Sequence, residues 1–228
     1  MADPLCRNQT NLAIKGIIGL KAMSKIAQMT KHEDPWNKHA VEYLERWKDF
    51  AINKEAKPPH TTLSYGDKNS HGNYLFLSFF LPVPPPHMLI PPPGILYNIY
   101  ADKLLSLNFI DQSIFDMQST FYPTVALEYA VPLDTRHTWT KSDWAMFAAA
   151  VASTSTRDMF ISKLARWVEN TSSNRAMTDL FDAQTGGFPE GGPTFVARPV
   201  QGGLFALLAL PRNSGTMKSE KVGRAFMS

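Results

Sequence analysis

Residues 10–29 read TNLAIKGIIGLKAMSKIAQM, and this stretch decides the fold. Leu12, Ile14, Ile17, Ile18, Leu20, Met23 and Ile26 place apolar groups on nearly every side of a helix, interrupted only by Lys15, Lys21 and Lys25. A helix apolar all round belongs inside a protein. Gly16 and Gly19 would let a neighbouring backbone approach closely. After Asp34-Pro35 the pattern changes to Ala40, Leu44, Trp47 and Ala51 with charges between them, the signature of an amphipathic outer helix. An inner helix followed by an outer one is the first unit of a repeating arrangement.

The pairing recurs downstream. Residues 133–150, LDTRHTWTKSDWAMFAAA, run from a charged cluster into an Ala-rich inner helix over Trp144 to Val151. Phe160, Leu164, Trp167 and Val168 then mark an outer helix. Thr140-Lys-Ser-Asp143 and Ser155-Thr-Arg-Asp158 both match the capping box, which predicts helix starts near Lys141 and just after Ser155. Gln112 to Tyr129 reads as a helix kinked at Pro123, and Gly203 to Leu210 as a last buried helix. No convincing period-2 run appears outside residues 73–93, so the fold class is all-α, built of helical hairpins.

Composition bounds the function. With 228 residues and 44% of them apolar, a single domain with a sizeable core is expected. A net charge of +3, with scattered lysines and arginines, gives no footprint for nucleic acid. Cys6 is the only cysteine and no His-x-x-x-His pair occurs, so no metal site is expected. The opening residues MADPLCRNQTN have no apolar core that would serve as a secretion signal, whereas Asn8-Gln-Thr10 and Asn170-Thr-Ser172 are glycosylation sequons that permit a secreted origin. No cofactor is expected, and no membrane partner.

Asn73 to Pro93, NYLFLSFFLPVPPPHMLIPPP, stands apart: an apolar run followed by seven prolines, too short to span a bilayer and barred from forming a helix. Residues 73–94 are read as an insert, a translated intron whose removal rejoins SYGDKNSHG to ILYNIYADKLL. A Pro-rich binding arm is the alternative.

Four blocks resemble the fungal glutaminase A family: NQTNLAIKGIIGLKAMSKIAQ from Asn8, LYNIYADKLL with DMQSTFYPT between Leu96 and Thr124, residues 133–150, and TFVARPVQGGLFALLAL from Thr194. The resemblance implies a six-hairpin glycosidase-like fold, an (α/α)6 toroid, with this chain supplying roughly half of the ring. On that reading, residues 8–211 form a partial domain and 212–228 a polar tail. A half toroid leaves apolar inner helices facing water, so the remaining N-terminal part of the domain is an expected partner. The resemblance also implies extracellular hydrolysis of the small molecule L-glutamine to L-glutamate and ammonia.

The chemistry points to the charged cluster. A carboxylate of the substrate calls for Arg136 or Arg198, through bidentate pairing. Its ammonium calls for Asp134, Asp179 or Asp67. His137 is the group that titrates nearest neutral pH, and with Asp134 and Asp143 it forms the candidate catalytic set. Tyr65, Asp67 and Trp144 are further candidates for substrate contact. The single Cys6 is poorly placed as a nucleophile, and neither Ser-x-x-Lys nor Gly-x-Ser-x-Gly occurs. A glycoside hydrolase is the alternative, with Asp143, Asp179 or Asp67 as its carboxylates and Trp139, Trp144 or Tyr65 stacking on sugar. An inactive fragment is the third reading. Asp102 and Lys103 are expected to form an ion pair, and the glycines of DAQTGGFPEGG, from Asp182, to serve positive-φ turns.

Overall fold

The computed structural model describes residues 9–65, 94–134, 136–171 and 173–211. Asp67, residues 73–93 of the insert, Cys6, Asn8, Ser172 and the 212–228 tail lie outside them. Helix α1 spans Thr10–Thr30 and α2 spans Trp36–Ala51. The link between them is set by Asp34. Its Oδ1 accepts from the Trp36 and Asn37 amides at 3.2 and 3.1 Å, satisfying free donors at the start of α2. Its Oδ2 accepts from the buried Ser24 hydroxyl of α1 at 2.6 Å. One side chain thus caps one helix and ties it to the other.

Ala40, Leu44, Trp47 and Ala51 are all buried, as their spacing predicts, and Leu44, Trp47 and Ala51 cluster with Ile14, Ile17 and Ile18. The Trp47 indole donates to the Thr10 carbonyl at 3.0 Å. Two short strands follow, β1 (Ile52–Asn53) and β2 (His60–Thr61), paired antiparallel. His60 is buried with its ring stacked on Phe121 at 4.1 Å, and burial lowers its pKa despite the Pro58 carbonyl beside Nδ1.

A 3-10 turn at Tyr97–Ile99 leads into α3 (Tyr100–Leu104), then α4 (Gln112–Val125). Helix α4 stops four residues before Tyr129. Pro123 sits in its last turn without an amide to donate, and the Tyr129 amide instead reaches the Ala183 carbonyl at 2.8 Å. Strand β3 (Trp139–Lys141) precedes α5 (Ser142–Val151), and α6 (Thr154–Asn170) completes a second hairpin. Strand β4 (Leu180–Asp182) pairs back on β3. Ala145, Met146, Ala148 and Ala149 of α5 are buried among Tyr100, Phe121, Tyr122 and Phe160, and Val151 touches both main apolar clusters. Short side chains let neighbouring elements approach α5 from several sides. The architecture is all-α, with two-stranded sheets only as clips between helices. Among the described residues no helix is long and apolar enough to cross a membrane.

Several expectations are corrected. Thr140 does not cap α5: it lies in β3, buried, and its hydroxyl donates to the Val131 carbonyl at 2.8 Å. The cap of α6 is Ser153 rather than Ser155, accepting from the Thr156 amide. The last helix is not a buried one. Its region is a 3-10 segment, Pro199–Phe205, followed by the single-turn α7 (Ala206–Ala209), with only Ala206 buried and Phe205 and Leu208 exposed. Within it Gly203 lies so close to α5 that an added Cβ would be 2.7 Å from Asp143 Cβ. Among the described residues, helix α1 is covered on one side only, and Gly16 and Gly19 meet no described neighbour there.

Candidate active site

Strand pairing assembles the charged centre. The register sets Trp139 opposite Asp182, Thr140 opposite Phe181 and Lys141 opposite Leu180. The Ser142 amide then donates to the Asp179 carbonyl at 2.9 Å, so the side chains of Lys141 and Asp179 emerge together where α5 begins. Lys141 Nζ donates to both Asp143 oxygens at 2.9 and 3.0 Å and bridges to Asp179 Oδ2 at 3.2 Å. Arg198 closes the chain on the other side, with Nε donating to Asp179 Oδ1 at 2.8 Å and Nη2 bonded to Oδ2. Two cations face two carboxylates. Lys141, Asp143 and Asp179 are all buried, and a buried ion is tolerated only when it is paired and hydrogen-bonded in this way.

Burial alone would raise the Asp179 pKa, but the bonds from Arg198 and Lys141 outweigh it and hold the carboxyl below the usual range. Arg198 arrives through Ala197, whose φ of 51° is uncommon for a residue with a Cβ and whose amide donates to the Met177 carbonyl at 2.9 Å. The guanidinium lies 3.7 Å from the centre of the Phe195 ring.

An aromatic wall adjoins the network. Trp144 stacks on Tyr97 at 4.1 Å and 14°, and Lys141 Nζ sits 4.4 Å from the Trp144 ring centre. Burial pushes the Tyr97 hydroxyl up, and the charge of Asp143 adds to that, against the opposing bond with Asn98. Tyr97 therefore stays protonated as a donor. Tyr97 and Trp144 line a cavity of about 220 Å3, together with Asn11, Leu133, Asp134 and Arg136.

The loop between Leu133 and Trp139 is closed by the Leu133 amide donating to the Trp139 carbonyl at 2.8 Å. Inside it, Asp134 Oδ1 accepts from the Arg136 amide at 2.9 Å and from Arg136 Nε at 3.0 Å. Asp134 is buried while Arg136 reaches outward, so a carboxylate and a guanidinium meet at the cavity mouth. His137 is exposed, stacked on Trp139 at 3.9 Å, and is not among the cavity's lining residues.

The sequence candidates thus divide. Asp134, Arg136 and Trp144 share the cavity, and Asp143, Asp179 and Arg198 share the ionic chain behind it. Tyr65 lies elsewhere, packed against the α1–α2 hairpin. Asp102 and Lys103 do not form the expected ion pair. Asp102 Oδ1 instead accepts from the Phe109 and Ile110 amides at 2.9 and 3.3 Å, while Lys103 sits over the Phe115 ring at 4.4 Å. Asp182 accepts from Gln184, Thr185 and Thr138 and shapes a turn in which Gly186 takes a φ of 76°. Gly191 also has a positive φ, 66°. Lys141, the hub, and Tyr97 were not selected from sequence. Their partners Asp179 and Trp144 come from other segments, and no local pattern announces either contact. No group of residues with metal-ligand character occurs among the described residues.

Comparison with known proteins gives a consistent picture. The chain matches the profile of the "Glutaminase A six helical-hairpin domain" over residues 2–77 and 93–208, which passes over residues 78–92. It is 52% identical over 206 residues to "Glutaminase A" of Aspergillus oryzae (strain ATCC 42149 / RIB 40), covering 89% of this chain and 26% of that protein. It is 35% identical over 235 residues to "Probable glutaminase/05536" of Arthroderma benhamiae (strain ATCC MYA-4681 / CBS 112371), covering 90% of this chain and 24% of that one. The chain spans about a quarter of the length of these curated relatives. No solved structure matches it significantly.

Proposed function

This chain belongs to the glutaminase A six helical-hairpin family, and from that premise we propose that it forms part of an enzyme hydrolysing L-glutamine to L-glutamate and ammonia. The observation that carries the reading is the Asp134–Arg136 pair at the mouth of the 220 Å3 cavity. A free amino acid presents an ammonium and a carboxylate on one carbon. It can enter such a pair by exchange, its ammonium taking Asp134 and its carboxylate taking Arg136, so each protein charge is re-partnered rather than stranded. The side chain of the substrate then lies along the Tyr97–Trp144 wall, with the protonated Tyr97 hydroxyl available to the amide. Lys141, Asp143, Asp179 and Arg198 form a fixed base under that wall. Asp143 and Asp179 hold the lysine, and the lysine holds Trp144 in place.

In this reading the exposed His137, carried by the same loop as Asp134 and Arg136, is the candidate to take the proton of the attacking water. Asp179, tied to two cations and kept ionised, is a poor acid, which argues against the glycosidase alternative. The substrate is a small molecule, and no cofactor enters the scheme. An extracellular setting follows the family reading. Asn170 of the Asn170-Thr-Ser172 sequon is exposed at the end of α6, where a glycan would be tolerated.

Kinetics test the proposal. Asp134→Asn or Arg136→Gln should each lower kcat/KM for L-glutamine roughly 100-fold, the equivalent of one lost charge-assisted contact. The double variant should lose little more than either single one, because the two residues grip one ligand. Unfolding free energy should fall by only about 1 kcal/mol or less in Arg136→Gln, because that side chain is well exposed. Unchanged turnover in both single variants would remove the pair from the site.

A further inference from the structure

A second cavity, of about 470 Å3, opens where α6 ends. Its floor is Trp167 and Tyr129. Gly186 is wedged between them so tightly that an added Cβ would lie 3.2 Å from the Tyr129 ring and 3.3 Å from Trp167. Trp167 is fixed by its stack on Phe181 at 3.9 Å and by its indole N–H, which donates to the Gly186 carbonyl at 2.8 Å. Phe188 forms a wall, with the Arg175 guanidinium 5.2 Å from its ring centre. Thr171 and Ser173 make the rim polar. A rigid aromatic surface edged by hydroxyls and a cation suits a pyranose ring, which has an apolar C–H face and a hydrogen-bonding edge.

Asn170 selects the occupant. It lines the same cavity, is exposed, and follows Trp167 by three residues, which puts the two on one side of α6. It is also the acceptor of the Asn170-Thr-Ser172 sequon, which the glutamine reading leaves unused. We propose that Asn170 carries an N-linked glycan whose first sugar, an N-acetylglucosamine, lies in this cavity against the Tyr129 and Phe188 rings. Attachment exchanges one bond for another. Asn170 Nδ2 bonds to C1 of an oligosaccharide donated by a lipid diphosphate, the C1–O bond to the diphosphate breaks, and the displaced N–H proton leaves with the lipid diphosphate. The seated ring covers apolar surface otherwise open to water, and its N-acetyl and hydroxyl groups face Arg175 and the polar rim. Tethering at Asn170 gives the sugar a high effective concentration, so weak contacts suffice to hold it. The inference does not depend on the reaction at the other cavity. It rests on the extracellular setting proposed above, and the leader used in the test separates the two.

The full 228-residue chain is secreted from yeast behind a cleavable leader, in an Asn8→Gln background that leaves one sequon. Peptide mapping by mass should find the glycan on Asn170. Ser172→Ala, which removes the sequon and keeps the asparagine, should lower the melting temperature by roughly 2–4 °C. Trimming with an endoglycosidase that leaves only the first N-acetylglucosamine should preserve the higher value, a comparison that needs no variant. In Phe188→Ala the glycosylated and sequon-free forms should melt alike, because the wall that couples the sugar to the fold is gone. An unoccupied Asn170 in the secreted chain would overturn the proposal. So would equal melting with and without the glycan, the result for a sugar directed into solvent, or loss of the gain on trimming. The full pattern here, with no glycan on the chain taken from its own source, would overturn the extracellular setting and uphold the cavity as a sugar seat.

Discussion

Asp179→Ala is expected to lower the unfolding free energy by about 3 kcal/mol or more, near the lower end of the 3–5 kcal/mol range for breaking a buried ion pair from one side. The carboxylate is fully buried and accepts from Arg198 and Lys141 at once. Its removal leaves Lys141 with Asp143 alone and Arg198 with none of its bonds to Asp179. Asp143 still satisfies the lysine in part, which sets the expectation at the lower end. The effect depends on pH in a defined direction. The folded-state pKa of Asp179 lies below the ordinary value of 3.8, so its contribution is complete above that value. It is lost as pH falls through the lowered folded pKa. Urea unfolding of both proteins at pH 7 and at pH 3 should therefore show a gap that narrows in acid. A loss under about 1 kcal/mol at pH 7 would mean the network is no better than a surface pair.

Trp47→Ala should cost about 3–5 kcal/mol, as large aromatic truncations in cores do. Trp47 is buried at the centre of the α1–α2 hairpin, among Ile14, Ile17, Leu44 and Phe115. Its indole also supplies the hydrogen bond to the Thr10 carbonyl at the start of α1. Trp47→Phe keeps most of the apolar volume and loses that bond, so about 1–2 kcal/mol is expected. The two variants together separate packing from hydrogen bonding, by chemical denaturation. Equal losses in both would assign the whole effect to the bond.

Much of the helical framework was legible because it obeys local periodicity. The four-three-four spacing of Ala40, Leu44, Trp47 and Ala51 identified a buried face, and the Ala-rich run after Trp144 identified a helix that neighbours could approach closely. Helix ends were less legible. Two capping-box matches sat on Thr140 and Ser155, yet the Thr140 hydroxyl was claimed by the Val131 carbonyl and Ser153 capped α6. A capping motif reports what a side chain can do locally, and a tertiary partner can take it instead. Gly203 to Leu210 reads as a buried helix, whereas residues Pro199–Phe205 form a 3-10 segment in which Gly203 lies against Asp143, a contact with no local sequence signal.

The candidate site was half legible. Asp134, Arg136, Asp143 and Trp144 fall in one short charged segment and could be picked out together. The hub Lys141 belongs to the same segment, but its importance depends on Asp179, which strand pairing brings from a distant part of the chain. Tyr97 likewise gains meaning only from its stack on Trp144. Charge balance gave a hint: a lysine and an aspartate at the edge of a buried helix each need a partner, and the surplus of candidates predicts a network without naming its members.

Binding of L-glutamine tests the central claim most directly, because it reports on the Asp134–Arg136 cavity whether or not turnover follows. The melting temperature of the chain should rise with L-glutamine concentration, as it does for any ligand that favours the folded state. The rise should vanish in Arg136→Gln, and simple sugars should not reproduce it. An equal rise in the variant, or a response to sugars and none to glutamine, would contradict the account.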